Sequence, residues 1–331
     1  MAFVVVGATS WGVTIAWLLR NNGYEVELCV RHDGERESVR AAGGLARLPE
    51  VQLDPAVVLS TPADVTRRPD GVVVAVPAQS VRPTLAVLRI DRSVPILSAA
   101  KGIEHGTYRL MSEVIEDCGW ASRRIAALSG PNLAHEIVRW LPAAAVVASL
   151  DSDEATAWQQ ALSSSTFRVY SSADVRGVEV AGAIKNVIAI AAGAAVGLGL
   201  GANTIAAIVT RGLAEMTRLG TALGADPLTF LGLAGIGDLS ATCYSPLSRN
   251  RRLGELLAAG LNAADALAEI GEAVEGAATA PVAVELGRRR GIELPIAEQV
   301  TAVLEGRATV REAMAALLGR PPTSEAEPRP G

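Results

Sequence analysis

The chain of 331 residues has few cysteines, histidines, aromatic residues and lysines, and each shortage narrows what it can be. The three cysteines lie far apart without a C-x-x-C spacing, which argues against a disulfide framework. The three histidines show no ligand spacing among themselves or with the cysteines, so we expect no metal site. The formal net charge of -5 argues against a nucleic-acid partner. With only 4% aromatic residues, the core must be built from Ala, Val, Leu and Ile.

Only two of the 30 basic side chains are lysines, Lys101 and Lys185, and the others are arginines. A guanidinium keeps its proton at working pH, whereas the pKa of an ammonium shifts readily when it is desolvated. A lysine in so arginine-rich a chain therefore indicates proton transfer or a tight point charge, with chance and a snorkelling side chain as the alternative. One helical turn from Lys185 lie Gly182 and Ala189, small residues that would admit another backbone or a ligand.

Lys185 lies in the apolar stretch 178–200, which is long enough to span a membrane. The stretch also carries Glu179 and Asn186 and is rich in glycine near its end, so we predict a buried central helix and no stable membrane insertion. The first residues have neither a basic region nor a cleavage site, and we therefore expect a cytoplasmic protein.

The sequence pattern changes near residue 177. Before it, short β-branched runs alternate with amphipathic helical patterns, and after it long helical patterns replace the strands. The predicted fold class is α/β, with an N-terminal Rossmann-type, doubly wound parallel sheet followed by an all-α C-terminal domain. The predicted strands cover residues 3–6, 25–30, 72–76, 95–98, 125–128, 144–147 and 167–170, and the predicted helices cover 11–21, 79–88, 107–118, 153–163, 178–200, 204–223, 246–259 and 278–289.

These patterns predict three units along the chain. Residues 1–177 would form a dinucleotide-binding Rossmann domain, and residues 178–320 a helical domain that binds substrate and carries the catalytic residues. Residues 321–331 are rich in proline and glutamate and would form a disordered tail.

The turn after the first predicted strand has the sequence GATSWG. In a dinucleotide fold, such a turn brings the pyrophosphate of the cofactor against backbone N–H groups at a helix N-terminus. Gly7 and Gly12 match the glycine motif, but Thr9 stands where the middle glycine normally lets the backbone approach the phosphates. The alternative is an ordinary strand–turn–helix in which Ser10 caps the helix.

Three further predicted strand ends would face the same crevice, because carboxyl ends of parallel strands do. The second strand ends at Arg31 and His32, where an NAD site would have an acidic residue. An arginine there suits the 2'-phosphate of NADP. The alternative is that Arg31 is only a solvated residue at the strand end. Lys101 follows another strand and would meet a phosphate or a polarised oxygen, or lie on the surface. A third strand is followed by two small residues and then by Asn132, which could cap the next helix.

Nine sequence blocks follow one another in a specific order over roughly residues 2–315: GATSWG, VPAQSVRPTL, KGIE, LMSEVI, LSGPNLAHEI, AGAIKNVIAIAAG, RGLAEMTRLG, GLAGIGDL and SPLSRNRR. In these blocks the chain resembles bacterial NAD(P)-dependent glycerol-3-phosphate dehydrogenases. The resemblance implies reversible hydride transfer between NADPH and dihydroxyacetone phosphate, giving glycerol 3-phosphate for phospholipid synthesis. It implies a small phosphorylated substrate, with NADP as the preferred cofactor and NAD as a possible one.

The resemblance also implies the site residues. Lys185 would give and take the proton, and Lys101 would meet the substrate from the opposite domain, with Asp238 beside Lys185. The expected cofactor contacts are Gly7, Ser10, Trp11, Gly12, Arg31, His32, Lys101, Ala134, Arg249 and Glu275. The expected substrate contacts are Lys101, Gly130, Asn132, Lys185, Asp238, Ser248, Arg249 and Asn250. From the residues alone, Asp238 could equally be a loop aspartate bonded to backbone, and Ser248 a helix cap.

Departures from the family pattern leave other functions open. Besides Thr9, the chain has Val196 and Ala202 where the family usually has aspartates, and Asn132 where a small hydroxyl residue is more usual. The alternatives are another small-substrate dehydrogenase, such as one acting on a β-hydroxy acid, and a cofactor-binding sensor with weak activity. A cysteine-dependent sugar-nucleotide dehydrogenase using Cys243 is a further alternative. Alanine-rich helices in the second domain favour a homodimer.

Overall fold

The computed structural model describes residues 1–66 and 68–321, so all but the first residue of the predicted tail lies outside the described part. The described residues form one sheet and a helical region that packs on it. The sheet strands are β1 Ala2–Val6, β2 Glu25–Cys29, β3 Val58–Ser60, β4 Gly71–Val74, β5 Ile96–Ser98, β6 Ile125–Ser129, β7 Ala143–Ser149 and β8 Phe167–Ser172. The predicted Rossmann-type fold class is confirmed.

The strands lie in the order β3-β2-β1-β4-β5-β6-β7-β8. The chain winds outward from β1 to one side and then returns to β4, so the strand order reverses between β1 and β4. In such sheets this switch point is where ligands bind. The strands from β1 to β6 are parallel, but β7 runs antiparallel to β6. The predicted parallel sheet is therefore parallel except at the β6–β7 pair, where the link, residues 130–142, has only a one-turn helix instead of the full helix that a parallel crossover usually contains.

Six helices belong to the sheet region, and eight follow it within the described residues. The first set is α1 Ser10–Asn21, α2 Asp33–Ala42, α3 Val81–Val87, α4 Met111–Asp117, α5 Ala134–Ile137 and α6 Ser152–Leu162. The second set is α7 Val175–Gly197, α8 Ala202–Ala222, α9 Asp238–Tyr244, α10 Arg249–Ala258, α11 Ala263–Ile270, α12 Glu275–Arg290, α13 Pro295–Leu304 and α14 Val310–Leu318. The predicted all-α second region is therefore observed.

Helix α7 is the centre of the helical region. It begins where the Asp174 side chain accepts a hydrogen bond from the Gly177 N–H, and nearly all of its residues are buried. It is long and apolar enough to cross a membrane, but 83% of its most apolar window is buried inside the protein. Helix α7 is accordingly a core helix, as its internal charges predicted.

Small residues let α10 approach α7 at backbone distance. A Cβ atom on Gly193 would lie 1.9 Å from the Arg251 carbonyl oxygen, and one on Gly254 would lie 2.0 Å from the Ile190 carbonyl oxygen. The glycines therefore permit a contact that any side chain would block. At Gly182 the neighbours are side chains, because a Cβ there would meet the Ser129 Oγ at 2.8 Å and the Lys101 Cγ at 3.4 Å. The sequence predicted that small residues on α7 would admit either another backbone or a ligand. At these glycines, the neighbours are other protein groups.

Candidate active site

The turn between β1 and α1 has the shape that its glycines require. Gly7 has a φ of +113°, and a Cβ on Gly12 would lie 2.0 Å from the Gly7 carbonyl oxygen. The helix cap is Thr9 rather than Ser10, because the Thr9 hydroxyl accepts from the Gly12 N–H at 3.0 Å and donates to the Ala75 carbonyl at 2.8 Å. Thr9 therefore fits the turn through hydrogen bonds to the protein's own backbone, and Ser10 is left facing the adjoining cavity.

A cavity of about 370 Å³ lies between the sheet's strand ends and the helical region. It is lined by residues from both regions, as expected for a ligand site at a switch point. The predicted site residues on its wall are Ser10, Trp11, Arg31, Lys101, Asn132, Ala134, Lys185, Ser248, Arg249, Asn250 and Glu275. Residues on the wall that the sequence did not single out as contacts include Thr9, Arg47, Asn186, Thr242 and Glu272.

Five predicted site residues lie off the wall: Gly7, Gly12, His32, Gly130 and Asp238. The first two shape the glycine turn. His32 caps α2, because its Nδ1 accepts a hydrogen bond from the Glu35 N–H at 3.1 Å. The imidazole is therefore engaged by the helix and does not line the cavity. Its predicted cofactor contact is therefore not seen in this arrangement. Gly130 and Asp238 lie behind the wall and contact lysines that line it.

The two lysines of the chain meet at one buried carboxylate. Lys185 Nζ from α7 lies 2.5 Å from Asp238 Oδ1, and Lys101 Nζ, at the end of β5, lies 2.7 Å from Asp238 Oδ2. Lys101 Nζ also donates to the Gly130 carbonyl at 3.1 Å. The aspartate is 1% exposed, and it is the first residue of α9. The alternative of a loop aspartate bonded to backbone is thereby wrong: its side chain holds two ammonium groups, one from each region.

Thr242 adds a fixed acceptor for Lys185. One turn after Asp238 on α9, its Oγ1 accepts from Lys185 Nζ at 2.8 Å and donates to the Asp238 carbonyl at 2.7 Å. The ammonium therefore has two protein partners, which fix its position at the cavity wall. The i,i+4 spacing from Asp238 was the available sequence signal for Thr242, because such residues share a helix face.

Burial and charge act in opposite directions on this cluster. Burial lowers the pKa of Lys185 to about 8, with Asp238 opposing the shift and Lys101 adding to it. Burial alone would raise the pKa of Asp238, but the two ammonium groups outweigh it and hold that pKa below its usual range. Asp238 is thus ionised, and Lys185 is an ammonium whose proton is exchangeable near neutral pH.

Comparison with known proteins places the chain in a family. A family model described as the NAD-dependent glycerol-3-phosphate dehydrogenase N-terminus matches residues 2–155, and one for the C-terminus matches residues 174–315. The chain belongs to the NAD-dependent glycerol-3-phosphate dehydrogenase family. The glycerol-3-phosphate dehydrogenase (NAD(P)+) of Nocardia farcinica is 46% identical over 330 residues, covering 96% of this chain and 97% of the relative. That of Bradyrhizobium diazoefficiens is 42% identical over 319 residues, covering 96% of each.

A solved structure of another family member has the same fold. The glycerol-3-phosphate dehydrogenase of Coxiella burnetii superposes with a TM-score of 0.90 at 32% identity, covering 96% of this chain and 99% of that one. The resemblance stated from the sequence blocks is therefore confirmed, together with the α/β plus all-α architecture.

The family's S-R-N triplet begins α10, next to the lysine cluster. Ser248 is the helix cap and accepts the Arg251 N–H at 3.3 Å, which is the alternative given for it from the sequence. Arg249 faces the cavity and pairs with Glu272 at 3.1 Å. Asn250 donates to Asn186 Oδ1 at 2.9 Å and accepts the Gly276 N–H at 2.9 Å. Asn250 thus joins α7 to α12, so its side-chain amide is engaged by protein on both sides.

Two residues of the cavity point to a ligand of this dehydrogenase-family site. Both side-chain polar atoms of Asn132 and the Trp11 Nε1 are buried without a hydrogen-bond partner within the described residues. Buried polar groups nearly always have a partner, which a bound ligand or an ordered water can supply here. The alternative role of Asn132 as a helix cap is wrong, because α5 begins after Leu133 and has no side-chain cap bond.

Glu275 connects the two regions at the same cavity. It is the first residue of α12 and accepts the Ala78 N–H at 3.2 Å, just beyond β4. Burial raises the pKa of Glu275 to about 7. The carboxyl group is therefore readily neutral near pH 7, and it can either donate or accept a hydrogen bond toward a ligand.

Cysteine and metal chemistry have no support among the described residues. Cys243 is buried, and burial raises the pKa of its thiol to about 12, so the thiolate that a nucleophile requires is not formed near neutral pH. This contradicts the alternative of a cysteine-dependent sugar-nucleotide dehydrogenase. No group of three or more His, Cys, Asp or Glu that could hold a metal ion occurs in residues 1–66 and 68–321.

Proposed function

We propose that this chain is an NAD(P)-dependent glycerol-3-phosphate dehydrogenase that interconverts dihydroxyacetone phosphate and glycerol 3-phosphate by hydride transfer, supplying glycerol 3-phosphate for phospholipid synthesis. One observation carries the proposal: Lys101 and Lys185, joined by the buried Asp238, line the same cavity as Arg249 and as Ser10 of the turn after β1. Such a cavity brings together a proton donor, a phosphate-binding cation and a turn that suits a dinucleotide.

The residues at the cavity fit a nicotinamide dinucleotide. Gly7 and Gly12 let the turn fold tightly against its own backbone and Ala75, and α1 begins there, with Thr9, Ser10 and Trp11 on the cavity wall. The unpartnered Asn132 amide and Trp11 Nε1 suit the polar groups of such a cofactor or of the substrate. When bound there, the reduced nicotinamide supplies the hydride.

Lys185 would supply the proton. Hydride addition to the ketone carbon leaves negative charge on its oxygen, and an ammonium directed at that oxygen stabilises the charge and transfers a proton to it. In the reverse direction the neutral amine accepts the proton of the substrate hydroxyl. Asp238 orients both lysines and stays ionised, and Lys101 presents a second cation toward the cavity. The cluster carries two positive charges and one negative, so it favours an oxyanion.

The substrate phosphate would bind at the start of α10. Helix α10 has ten residues, and its N-terminus combines backbone N–H groups, the positive end of the helix dipole and the Arg249 guanidinium. A planar guanidinium binds phosphate through two parallel hydrogen bonds. The neighbouring Ser248 hydroxyl and Asn250 amide would complete the contact, as the resemblance implies, if they exchange protein partners for phosphate oxygens.

The deciding experiment measures oxidation of NADPH, and then of NADH, by purified protein with dihydroxyacetone phosphate. We expect oxidation that depends on the substrate, and its absence with both cofactors would overturn the proposal.

Lys185→Arg keeps the charge but holds its proton, so kcat should fall about a thousandfold or more. Arg252→Lys, a change at an exposed ion pair on α10, is the matched control and should keep wild-type activity.

A preference for NADPH is the second part of the proposal. Arg31 follows β2, lines the cavity and suits the 2'-phosphate that distinguishes NADP from NAD. Arg31→Gln should lower kcat/KM for NADPH about tenfold and leave kcat/KM for NADH nearly unchanged. Arg36→Gln, which removes a nearby arginine paired with Asp64 at 2.9 Å, is the control. Equal or better use of NADH by the wild-type protein would overturn the preference.

The remaining parts of the proposal concern organisation and location. We propose a Rossmann domain, 1–177, and a catalytic helical domain, 178–320, with the boundary in the first turn of α7, just after the link from β8. A homodimer through the helical domain is supported by exposed small residues on α8, among them Ala202, Ala206 and Ala207. Sedimentation of the protein at micromolar concentration tests the homodimer, and a monomer at that concentration would overturn it.

Cytoplasmic location is likewise a prediction, tested by cell fractionation.

A further inference from the structure

Glu272 bridges the two regions across the candidate active site. It follows Gly271, whose φ of +68° turns the chain between α11 and α12. Its Oε2 lies 3.1 Å from Arg249 Nη1 in the helical region and 3.6 Å from Arg47 Nε in the Rossmann region. All three side chains line the cavity, and Arg47 also donates to the Ala8 carbonyl in the glycine turn. One carboxylate thus holds the arginine that the proposed function assigns to the substrate phosphate.

We propose that Glu272 competes with the substrate phosphate for Arg249, so that it lowers the affinity of the site for both the phosphorylated substrate and its phosphorylated product. This inference rests on the proposed function, because that function places the phosphate at Arg249. A phosphate that approaches Arg249 meets the negative charge of Glu272 at the same guanidinium. Binding therefore requires that Glu272 yield at least part of its contact.

The exposure of the ion pair makes this displacement feasible. The side chains of Arg249 and Glu272 are 45% and 33% exposed, and ion pairs this exposed are weak and screened by salt. A phosphate dianion that binds a guanidinium bidentately makes stronger, charge-assisted hydrogen bonds. The phosphate therefore prevails at Arg249 when it is present at sufficient concentration.

Arg47 gives the displaced carboxylate a second partner. Its Nε is already 3.6 Å from Glu272 Oε2, so a small rotation of the glutamate exchanges one arginine for the other. No charge is left without a counter-ion in either state. When the product leaves, Glu272 returns to Arg249, which favours release of the phosphorylated product over its retention.

The competing interpretation is that Glu272 merely orients Arg249. The two interpretations predict opposite signs for the same substitution. If Glu272 orients the guanidinium, neutralising it weakens phosphate binding; if it competes with phosphate, neutralising it strengthens phosphate binding. A measurement of phosphate affinity therefore separates them.

The test compares Glu272→Gln with Glu269→Gln. Glu269 lies three residues earlier, at the end of α11, and pairs with Arg252 of α10 at 3.0 Å, so its substitution removes the same charge nearby without touching Arg249. The probe is inorganic phosphate, titrated calorimetrically at low ionic strength into the full chain. We expect Glu272→Gln to bind phosphate about fivefold more tightly than the wild type, with Glu269→Gln unchanged.

Kinetics supply the second measurement. Glu272→Gln should lower KM for dihydroxyacetone phosphate and the inhibition constant of glycerol 3-phosphate by a similar factor. Phosphate affinity that falls, stays unchanged, or is undetectable in both proteins would overturn the inference. The calorimetric titration needs no turnover, so tighter phosphate binding without NADPH oxidation would uphold this inference while the proposed function fails. NADPH oxidation by the wild type, together with the same phosphate affinity in Glu272→Gln and the wild type, would support the proposed function and overturn this inference.

Discussion

At the scale of single residues, the chemistry of this protein depends on a shortage of negative charge around its two lysines. Asp238 is the carboxylate that both ammonium groups share, at 2.5 Å and 2.7 Å. It can neutralise one of them, and the low local dielectric makes the remaining positive charge strong. Burial and the second lysine together make the proton of Lys185 easier to remove, and its pKa lies near 8. The same arrangement therefore supplies charge and a transferable proton.

The pH dependence of the reaction follows from that pKa. Ketone reduction requires protonated Lys185, so kcat for reduction should be full below about pH 8 and fall toward tenfold per pH unit above it. Alcohol oxidation requires the neutral amine, so kcat for oxidation should rise with pH and level off above the same midpoint. Measuring kcat for reduction and for oxidation over a range of pH checks this prediction. If the fall of one and the rise of the other had different midpoints, the prediction would be contradicted.

Two variants assign the midpoint to Lys185. Thr242 accepts a hydrogen bond from the ammonium, and hydrogen bonds to a charged form favour it, so Thr242→Val should move the midpoint to lower pH. Glu275→Gln serves as the control, because Glu275 lines the same cavity and has a pKa of about 7. It should remove any inflection near pH 7 while the limb of Lys185 remains.

At the scale of elements, helix ends in this protein are often satisfied by side chains from other elements. Helix α13 begins with Pro295, and its first free N–H groups belong to Ile296 and Ala297. Glu215 of α8 accepts both, at 2.6 Å and 3.3 Å, and is 4% exposed. Burial raises the pKa of Glu215 to about 7, and the hydrogen bonds from Ile296 and Ala297 oppose that shift because they favour the charged form. Its two hydrogen bonds fix α13 against α8.

Removal of this cap should destabilise the whole helical region. Glu215→Ala leaves two buried N–H groups without acceptors and a small cavity, so the free energy of unfolding should fall by about 2 to 4 kcal/mol. Glu298→Ala is the matched control, since Glu298 is an exposed glutamate in the first turn of the same helix and its removal should cost less than about 0.5 kcal/mol. Urea denaturation of the three proteins measures both, and equal midpoints for all three would refute the capping role.

The elements also show how far local sequence patterns reach. Long apolar runs correctly predicted seven of the strands and the buried helix α7. The pattern missed β3, which has only three residues, and α2, which buries only Val39. It also missed five further helices of four to ten residues, α5, α9, α11, α13 and α14. The reversed direction of β7 was not predictable from its own residues, because the direction of a strand depends on the path of the connection before it, here residues 130–142. In the site, the scarcity of lysine located Lys101 and Lys185, whereas Arg47 and Glu272 approach the cavity only through tertiary packing.

At the scale of the whole molecule, buried contacts between the two regions hold the cavity together. Besides the Lys101–Asp238 pair and the Glu275 contact to Ala78, Glu179 of α7 accepts from the Ser112 N–H at 2.7 Å and from its hydroxyl at 2.5 Å. Ser112 lies in the first turn of α4, so a carboxylate of the helical region binds the N-terminus of a Rossmann helix. These contacts predict that the two regions unfold together.

The distribution of tryptophan allows this cooperativity to be measured. All five tryptophans lie between Trp11 and Trp158, so their fluorescence reports the Rossmann region, while most helical circular dichroism comes from the region after residue 174. The two signals should give coincident urea transitions in the wild type. Glu179→Ala removes the acceptor of the partly buried Ser112 N–H and should separate the transitions, whereas Glu116→Ala, at an exposed residue of α4, should keep them coincident. Separate transitions in the wild type would show that the two regions are not coupled. Coincident transitions in Glu179→Ala would show that other contacts couple them.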